Sequence, residues 1–258
     1  MKYYVVDVFT DESFKGNPAG VCVLDGWPEN SLMQNIAFEN GLAETAFLTG
    51  SNGKYGLKWF TPEHEMDLCG HATLGSAYVA LNYLEPALAS VEFDSNSGKL
   101  FVRRENNAYL MDLPSRMPVR IDIPPALPRA LGVNVLEAWQ SRDTMAVVES
   151  EDAVRNLKAD LDLLKEPGEL RNFIVTARGG DCDFVSRFFT PGATIPEDPV
   201  TGSSHCSLIP YWAKALGKTE MTAKQLSRRG GSLSCRDCGD RVKIGGQARI
   251  YLIGEIFV

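Results

Sequence analysis

Histidine is scarce in this chain, with three residues in 258, so any site that needs an imidazole must draw on His64, His71 or His205. Cysteine is little more frequent. Cys22, Cys69, Cys182, Cys206, Cys235 and Cys238 are scattered through a chain long enough to fold without cross-links, so reduced thiols are expected. Cys235-Arg236-Asp237-Cys238 has the spacing of a metal knuckle, but no second pair accompanies it, and no metal is expected. Basic charge is also in short supply: 26 Lys and Arg stand against 33 Asp and Glu, for a net charge of -7. Nucleic-acid binding needs a basic stripe, and Arg103-Arg104 and Arg228-Arg229 are isolated pairs. No apolar run approaches the roughly 20 residues that span a bilayer. Met1-Lys2-Tyr3-Tyr4-Val5-Val6-Asp7-Val8-Phe9 reads as a strand rather than a secretory signal. Neither a nucleic-acid nor a membrane partner is expected, and the expected compartment is the cytoplasm.

What is present is an internal repeat. Trp59-Phe60-Thr61-Pro62 leads to Cys69-Gly70-His71-Ala72, and Phe188-Phe189-Thr190-Pro191 leads to Thr201-Gly202-Ser203-Ser204. The second copy carries three extra residues between its Pro and its Gly. A hydrophobic content of 44% is that of an ordinary globular protein, and the repeat divides it into two halves of one ancestral unit. Five prolines between Pro114 and Pro128 read as an extended linker, which puts domains at 1–117 and 118–258.

Short strands are expected at 2–9, 20–24, 43–49 and 55–60, with helices at 30–39 and 72–83. The second of these helices is almost wholly apolar and needs a sheet wrapped about it, which strands at 91–93, 99–103 and 108–113 would complete. The second half repeats the order. It has strands at 144–149, 172–177 and 183–189, helices at 151–165 and about 203–216, and closing strands at 225–228, 232–235, 241–245 and 247–257. Pro210 should bend the last helix. The apolar run Tyr251-Leu252-Ile253-Gly254-Glu255-Ile256-Phe257 predicts a buried final strand. The fold class is α+β, two pseudo-symmetric units each with a mostly antiparallel sheet around a central helix, and a cleft between them.

Each copy of the repeat brings a Gly to a helix start, where free backbone N–H groups and the helix dipole favour an anion. The expected ligand is a small carboxylate bound by Gly70, His71 and Ala72 and by Gly202, Ser203 and Ser204. His71 stands at such a start, where its cationic form is disfavoured. His64 and His205 read as non-catalytic. Asp198 lies four residues before Gly202 and reads either as a group facing the ligand or as a loop cap. Glu44 heads an otherwise apolar strand, surroundings that suit a carboxyl group able both to take and to give a proton. Aligning the two copies sets Asn172 opposite Glu44, so only the first half has a carboxyl group there.

Gly16-Asn17-Pro18-Ala19-Gly20, Glu44-Thr45-Ala46-Phe47, Phe60-Thr61-Pro62, Cys69-Gly70-His71-Ala72-Thr73 and Asp198-Pro199-Val200-Thr201-Gly202-Ser203 together resemble the PhzF family, the phenazine-biosynthesis isomerase-like proteins. The resemblance implies a diaminopimelate-epimerase-like fold, no cofactor and commonly a homodimer. It also implies Glu44 as the residue that shuttles a proton between two carbons, with His71, Asp198 and Ser203 on the other active-site positions. The wider superfamily supplies a rival reading, in which two cysteines before the helix-starting glycines act as base and acid. Cys69 fills the first place and Thr201 the second, which opposes two-thiol racemisation but leaves a dehydratase or epimerase using Cys69 open. A non-catalytic carboxylate-binding role is the third reading.

Overall fold

A computed structural model describes residues 1–164 and 172–258 of the chain, in two compact units: Met1–Leu113 with Ile244–Val258, and Pro114–Lys243. The sequence-based division assigns 244–258 to the second unit; in the structure the carboxyl-terminal strand, Ala248–Glu255, pairs antiparallel with β1 (Lys2–Val8) and so belongs with the first.

In the first unit β1 pairs antiparallel with β2 (Asn17–Leu24), and β2 runs parallel to β3 (Glu44–Ser51). β3 turns back into β4 (Lys54–Phe60), which pairs with the short β5 (Glu65–Met66) and, in parallel, with β6 (Ser90–Ser95). β7 (Gly98–Glu105) and β8 (Ala108–Pro114) complete the series by antiparallel pairing. Between β2 and β3 lies α1 (Asn30–Asn40), ended by Gly41 in the left-handed conformation. Its Met33, Ile36 and Ala37 pack with Cys22, Leu24, Phe47 and Phe60.

The central helix α2 spans Gly70–Val79 and touches β1, β2, β3, β7 and the carboxyl-terminal strand. All of its residues except Tyr78 are buried, as its composition predicts. Its helical path continues as a π-type turn, Ala80–Leu84, closed by Glu85 N–H to Ala80 O.

The second unit repeats the pairing scheme. β9 (Val119–Ile121) and β10 (Val135–Gln140) are antiparallel, β10 pairs with β11 (Thr144–Val148), and β11 runs parallel to β12 (Phe173–Arg178). β12 pairs with β13 (Phe184–Phe189), which meets the short β14 (Glu197–Asp198) and, in parallel, β15 (Glu220–Gln225); β16 (Gly231–Asp237) pairs with β15. The strand Arg241–Gly246 carries the chain back toward the first unit.

The registers align the halves residue by residue. Thr45 is opposite Phe60 and Phe173 is opposite Phe189, so the preceding residues, Glu44 and Asn172, hold equivalent places. Phe60 and Trp59 face Glu65 and Met66, whereas Phe189 and Phe188 face Glu197 and Asp198, which makes Met66 the counterpart of Asp198. The three extra residues of the second copy fall in one loop. Thr61 N–H closes it on His64 O in the first unit, and Thr190 N–H closes it on Pro196 O in the second.

Four expectations are corrected. The proline-rich stretch is not a linker: it contains β9 and a short helix, α3 (Ala126–Leu131), whose Leu127, Ala130 and Leu131 lie in the core of the second unit. The helix expected over 151–165 is the shorter α4 (Glu151–Arg155), because Arg187 Nη1 donates to Val154 O and Leu157 O at 3.3 and 2.7 Å and Asp160 N–H goes to Ala130 O. Residue 165 lies outside the described residues. The last helix, α5, spans His205–Leu216, with Gly202, Ser203 and Ser204 in a tight turn before it. The carboxyl-terminal strand is exposed rather than buried, with Tyr251 at 57% and Ile253 at 56%, since apolar side chains supply much of any folded surface.

Candidate active site

In the first unit four polar side chains meet where β2, β3 and α2 begin. Asn17 is the first residue of β2, Glu44 the first of β3, Cys69 the N-cap of α2 and His71 its second residue. Parallel pairing sets Glu44 beside Ala19, two residues beyond Asn17. Gly20 lets this corner close: a Cβ there would meet Thr45 Oγ1 at 3.0 Å and Tyr3 Oη at 3.1 Å.

The imidazole of His71 is 3% exposed, and its Nε2 lies 3.3 Å from Glu44 Oε2, on a carboxylate that is 16% exposed. Its other nitrogen, Nδ1, is 3.1 Å from Asn17 Nδ2 and 3.5 Å from Cys69 Sγ. Glu44, Cys69 and His71 each offer a metal-ligating atom within 4.8 Å of the others. The thiol and the carboxylate address opposite nitrogens of the ring, however, and one ion would take only one of them.

Intrahelical bonding in α2 starts with Thr73 N–H to Cys69 O, so the amides of Gly70, His71 and Ala72 lie in the turn before the ladder begins. Thr73 Oγ1 also donates to Cys69 O, at 2.5 Å, and holds the N-cap backbone in its extended conformation.

In the second unit the loop before α5 is cross-tied through Gln225, which is fully buried. Its Oε1 accepts Thr201 N–H at 2.8 Å, while its Nε2 donates to Asp198 O at 2.7 Å and to Thr201 Oγ1 at 3.2 Å. Thr201 Oγ1–H donates to Asp198 Oδ2 at 2.5 Å. The alternation of β14 turns Glu197 the other way, into a two-point pair with Arg187 at 2.7 and 3.0 Å.

Ser204 Oγ donates to Thr201 O, and Arg142 Nη2 donates to Ser203 Oγ at 3.4 Å. His205 is fully buried with Nδ1 2.8 Å from Thr201 O, and burial drives its pKa down to about 4. His64 lies exposed in the Thr61 loop.

Of the residues the sequence singled out, the fold gathers Glu44, Cys69 and His71 beside Gly70 and Ala72 in one unit. It gathers Asp198 and Thr201 with Gly202, Ser203 and Ser204 in the other. Sequence reasoning missed Asn17 and Gln225. Asn17 sits in the Gly16-Asn17-Pro18 turn, a signal that marks local geometry, whereas nothing in the chain near Gln225 distinguishes it from a surface glutamine.

The sequence model of the PhzC-PhzF family, described as phenazine biosynthesis-like protein, matches residues 6–254. A Pseudomonas aeruginosa protein named as an uncharacterized isomerase is 46% identical over 98% of this chain and 97% of its own length. A crystal structure of a PhzF-family phenazine biosynthesis protein from Enterococcus faecalis superposes with a TM-score of 0.96 at 47% identity, covering 100% of this chain and 99% of that one. The fold extends further: a probable proline racemase from Agrobacterium radiobacter shares it at a TM-score of 0.65 and 9% identity, over 100% of this chain and 93% of that one. The chain belongs to the PhzC-PhzF, phenazine biosynthesis-like, family.

Proposed function

We propose that this chain is an isomerase that needs no cofactor and moves a proton on a small cyclic or unsaturated carboxylic acid, with Glu44 as acid and base. The carboxylate of Glu44 takes a proton from an activated carbon, and the electron pair left behind is delocalised into the unsaturated system. The resulting carboxyl group then returns the proton to another carbon, so atoms and electrons balance without a redox partner. The observation that carries this reading is the 3.3 Å approach of His71 Nε2 to Glu44 Oε2 at a largely buried corner. The amides of Gly70 to Ala72 are suited to an anionic oxygen of the substrate. His71 and Asp198 are proposed as further catalytic groups, and Gly202, Ser203 and Ser204 as substrate-binding ones. That relatives bear the name isomerase supports the reaction class.

Cys69 supports a second reading, because its Sγ lies 3.5 Å from His71 Nδ1 and a thiol could be deprotonated there. Against it stands Thr201 at the place where a two-thiol mechanism needs its second cysteine. Incorporation of solvent deuterium into candidate acids separates the readings: exchange lost in Glu44→Gln and kept in Cys69→Ala supports the carboxyl mechanism, and the reverse supports the thiol. Binding of acids with no exchange at all would favour a non-catalytic role.

A further inference from the structure

We propose that Asn17 is a positioning residue that decides which nitrogen of His71 carries the proton, directing the imidazole toward Glu44 and away from Cys69. The inference rests on the reading of Glu44 as the acid and base, and it names the residue that selects this chemistry over thiol chemistry at the same corner. A neutral imidazole has one N–H and one lone pair. Asn17 Nδ2 lies 3.1 Å from His71 Nδ1, and an amide N–H that donates there occupies the ring's lone pair. The proton then sits on Nε2, the nitrogen that lies 3.3 Å from Glu44 Oε2.

The same bond bears on Cys69. Its Sγ approaches Nδ1 at 3.5 Å, so its proton could pass to the ring only by displacing the Asn17 donor. Asn17 thus disfavours a thiolate at Cys69 while keeping the ring proton on the nitrogen nearer Glu44. The backbone holds the amide for this purpose: Asn17 is fully buried and opposes Val8 across β1 and β2. The residue before it, Gly16, has a φ of +64°, and a Cβ on it would stand 2.1 Å from Val8 O. A side chain so placed has little freedom to follow the ring if the ring turns.

The test is the tautomer itself, read by long-range proton–nitrogen correlation of the imidazoles in the full-length ¹⁵N-labelled chain. The three histidines give three ring patterns, and His71→Gln assigns the one in question. In the native chain His71 should show its proton on Nε2. In Asn17→Leu at least half of the population should lose that pattern, and in the near-isosteric Asn17→Asp, whose carboxylate accepts, Nδ1 should become protonated. Backbone amide spectra report the fold of each variant, and Asn17→Asp alone decides the matter if Asn17→Leu does not fold. A native His71 with its proton on Nδ1, or an Nε2–H pattern unchanged in the folded variants, would overturn the proposal. This readout needs no substrate, so it stands apart from the exchange experiment on Glu44.

Discussion

His71 Nε2 lies 3.3 Å from Glu44 Oε2, and the fold that makes this pair does not repeat it. Strand register places Asn172 where Glu44 stands, and it places Met66 where Asp198 stands. Each unit therefore supplies one carboxylate at a place where the other is uncharged. Likewise Cys69 and His71, which flank Gly70, answer to Thr201 and Ser203, which flank Gly202. An architecture built twice thus carries different polar groups at its equivalent places.

Gln225 ties Asp198 and Thr201 together by three hydrogen bonds from a fully buried position. In Gln225→Ala the Thr201 N–H and the Asp198 carbonyl lose this partner, and each such buried group costs about 1–3 kcal/mol. Urea unfolding should show a loss of about 3 kcal/mol. A loss below about 1 kcal/mol would mean that the loop is not held in this way.

His205 makes acid stability a direct readout of the second unit. Burial holds its pKa at about 4 against an ordinary 6.5, so the unfolded chain binds the proton first as pH falls. Its neutral burial costs nothing above pH ~6.5; between there and pH ~4 stability falls, by about 3 kcal/mol in all, and below that the contribution is flat. The difference in unfolding free energy between the native chain and His205→Asn, followed from pH 7 to pH 4, should change by about that amount. A difference constant with pH would contradict the assignment.

Glu85 fastens the β3–β4 turn: its carboxylate accepts Asn52 N–H at 2.5 Å, Gly53 N–H at 2.7 Å and Tyr55 Oη–H at 2.6 Å. The Tyr55 hydroxyl, first among these donors, holds the carboxyl below its usual range. The stabilisation is therefore present above the ordinary carboxyl pKa and is lost as pH falls below it. Glu85→Ala should cost about 2 kcal/mol at neutral pH by thermal or urea unfolding, and the cost should shrink in acid. An equal cost at both pH values would show that packing, not charge, is what the side chain supplies.

The repeat was legible because its Thr-Pro opening has a backbone task in both units: Thr61 and Thr190 close the following loop with their N–H groups. Counting from that anchor set Glu44 against Asn172 and located Gly70 at a helix start. The buried helix α2 was legible from composition, since a segment apolar on every side has only one stable setting. The proline-rich stretch misled because proline also suits helix starts: Pro125 is the N-cap of the helix Ala126–Leu131 and Pro128 falls in its first turn. The carboxyl-terminal strand misled because apolar composition fixes neither exposure nor partner. Asn17 and Gln225 were out of reach for another reason. Their roles depend on groups 54 and 24 residues away, and no local pattern announces a long-range hydrogen bond.

Glu44, rather than Cys69, is the proposed carrier of the proton. A panel of small cyclic and unsaturated carboxylic acids, incubated in deuterated water with the native chain, identifies an exchanging substrate by mass or proton spectra. On that acid Glu44→Gln should lower the exchange rate by about 10²–10⁴-fold, and Cys69→Ala should leave it within about tenfold of native. Exchange that survives Glu44→Gln and disappears in Cys69→Ala would contradict the account and assign the chemistry to the thiol.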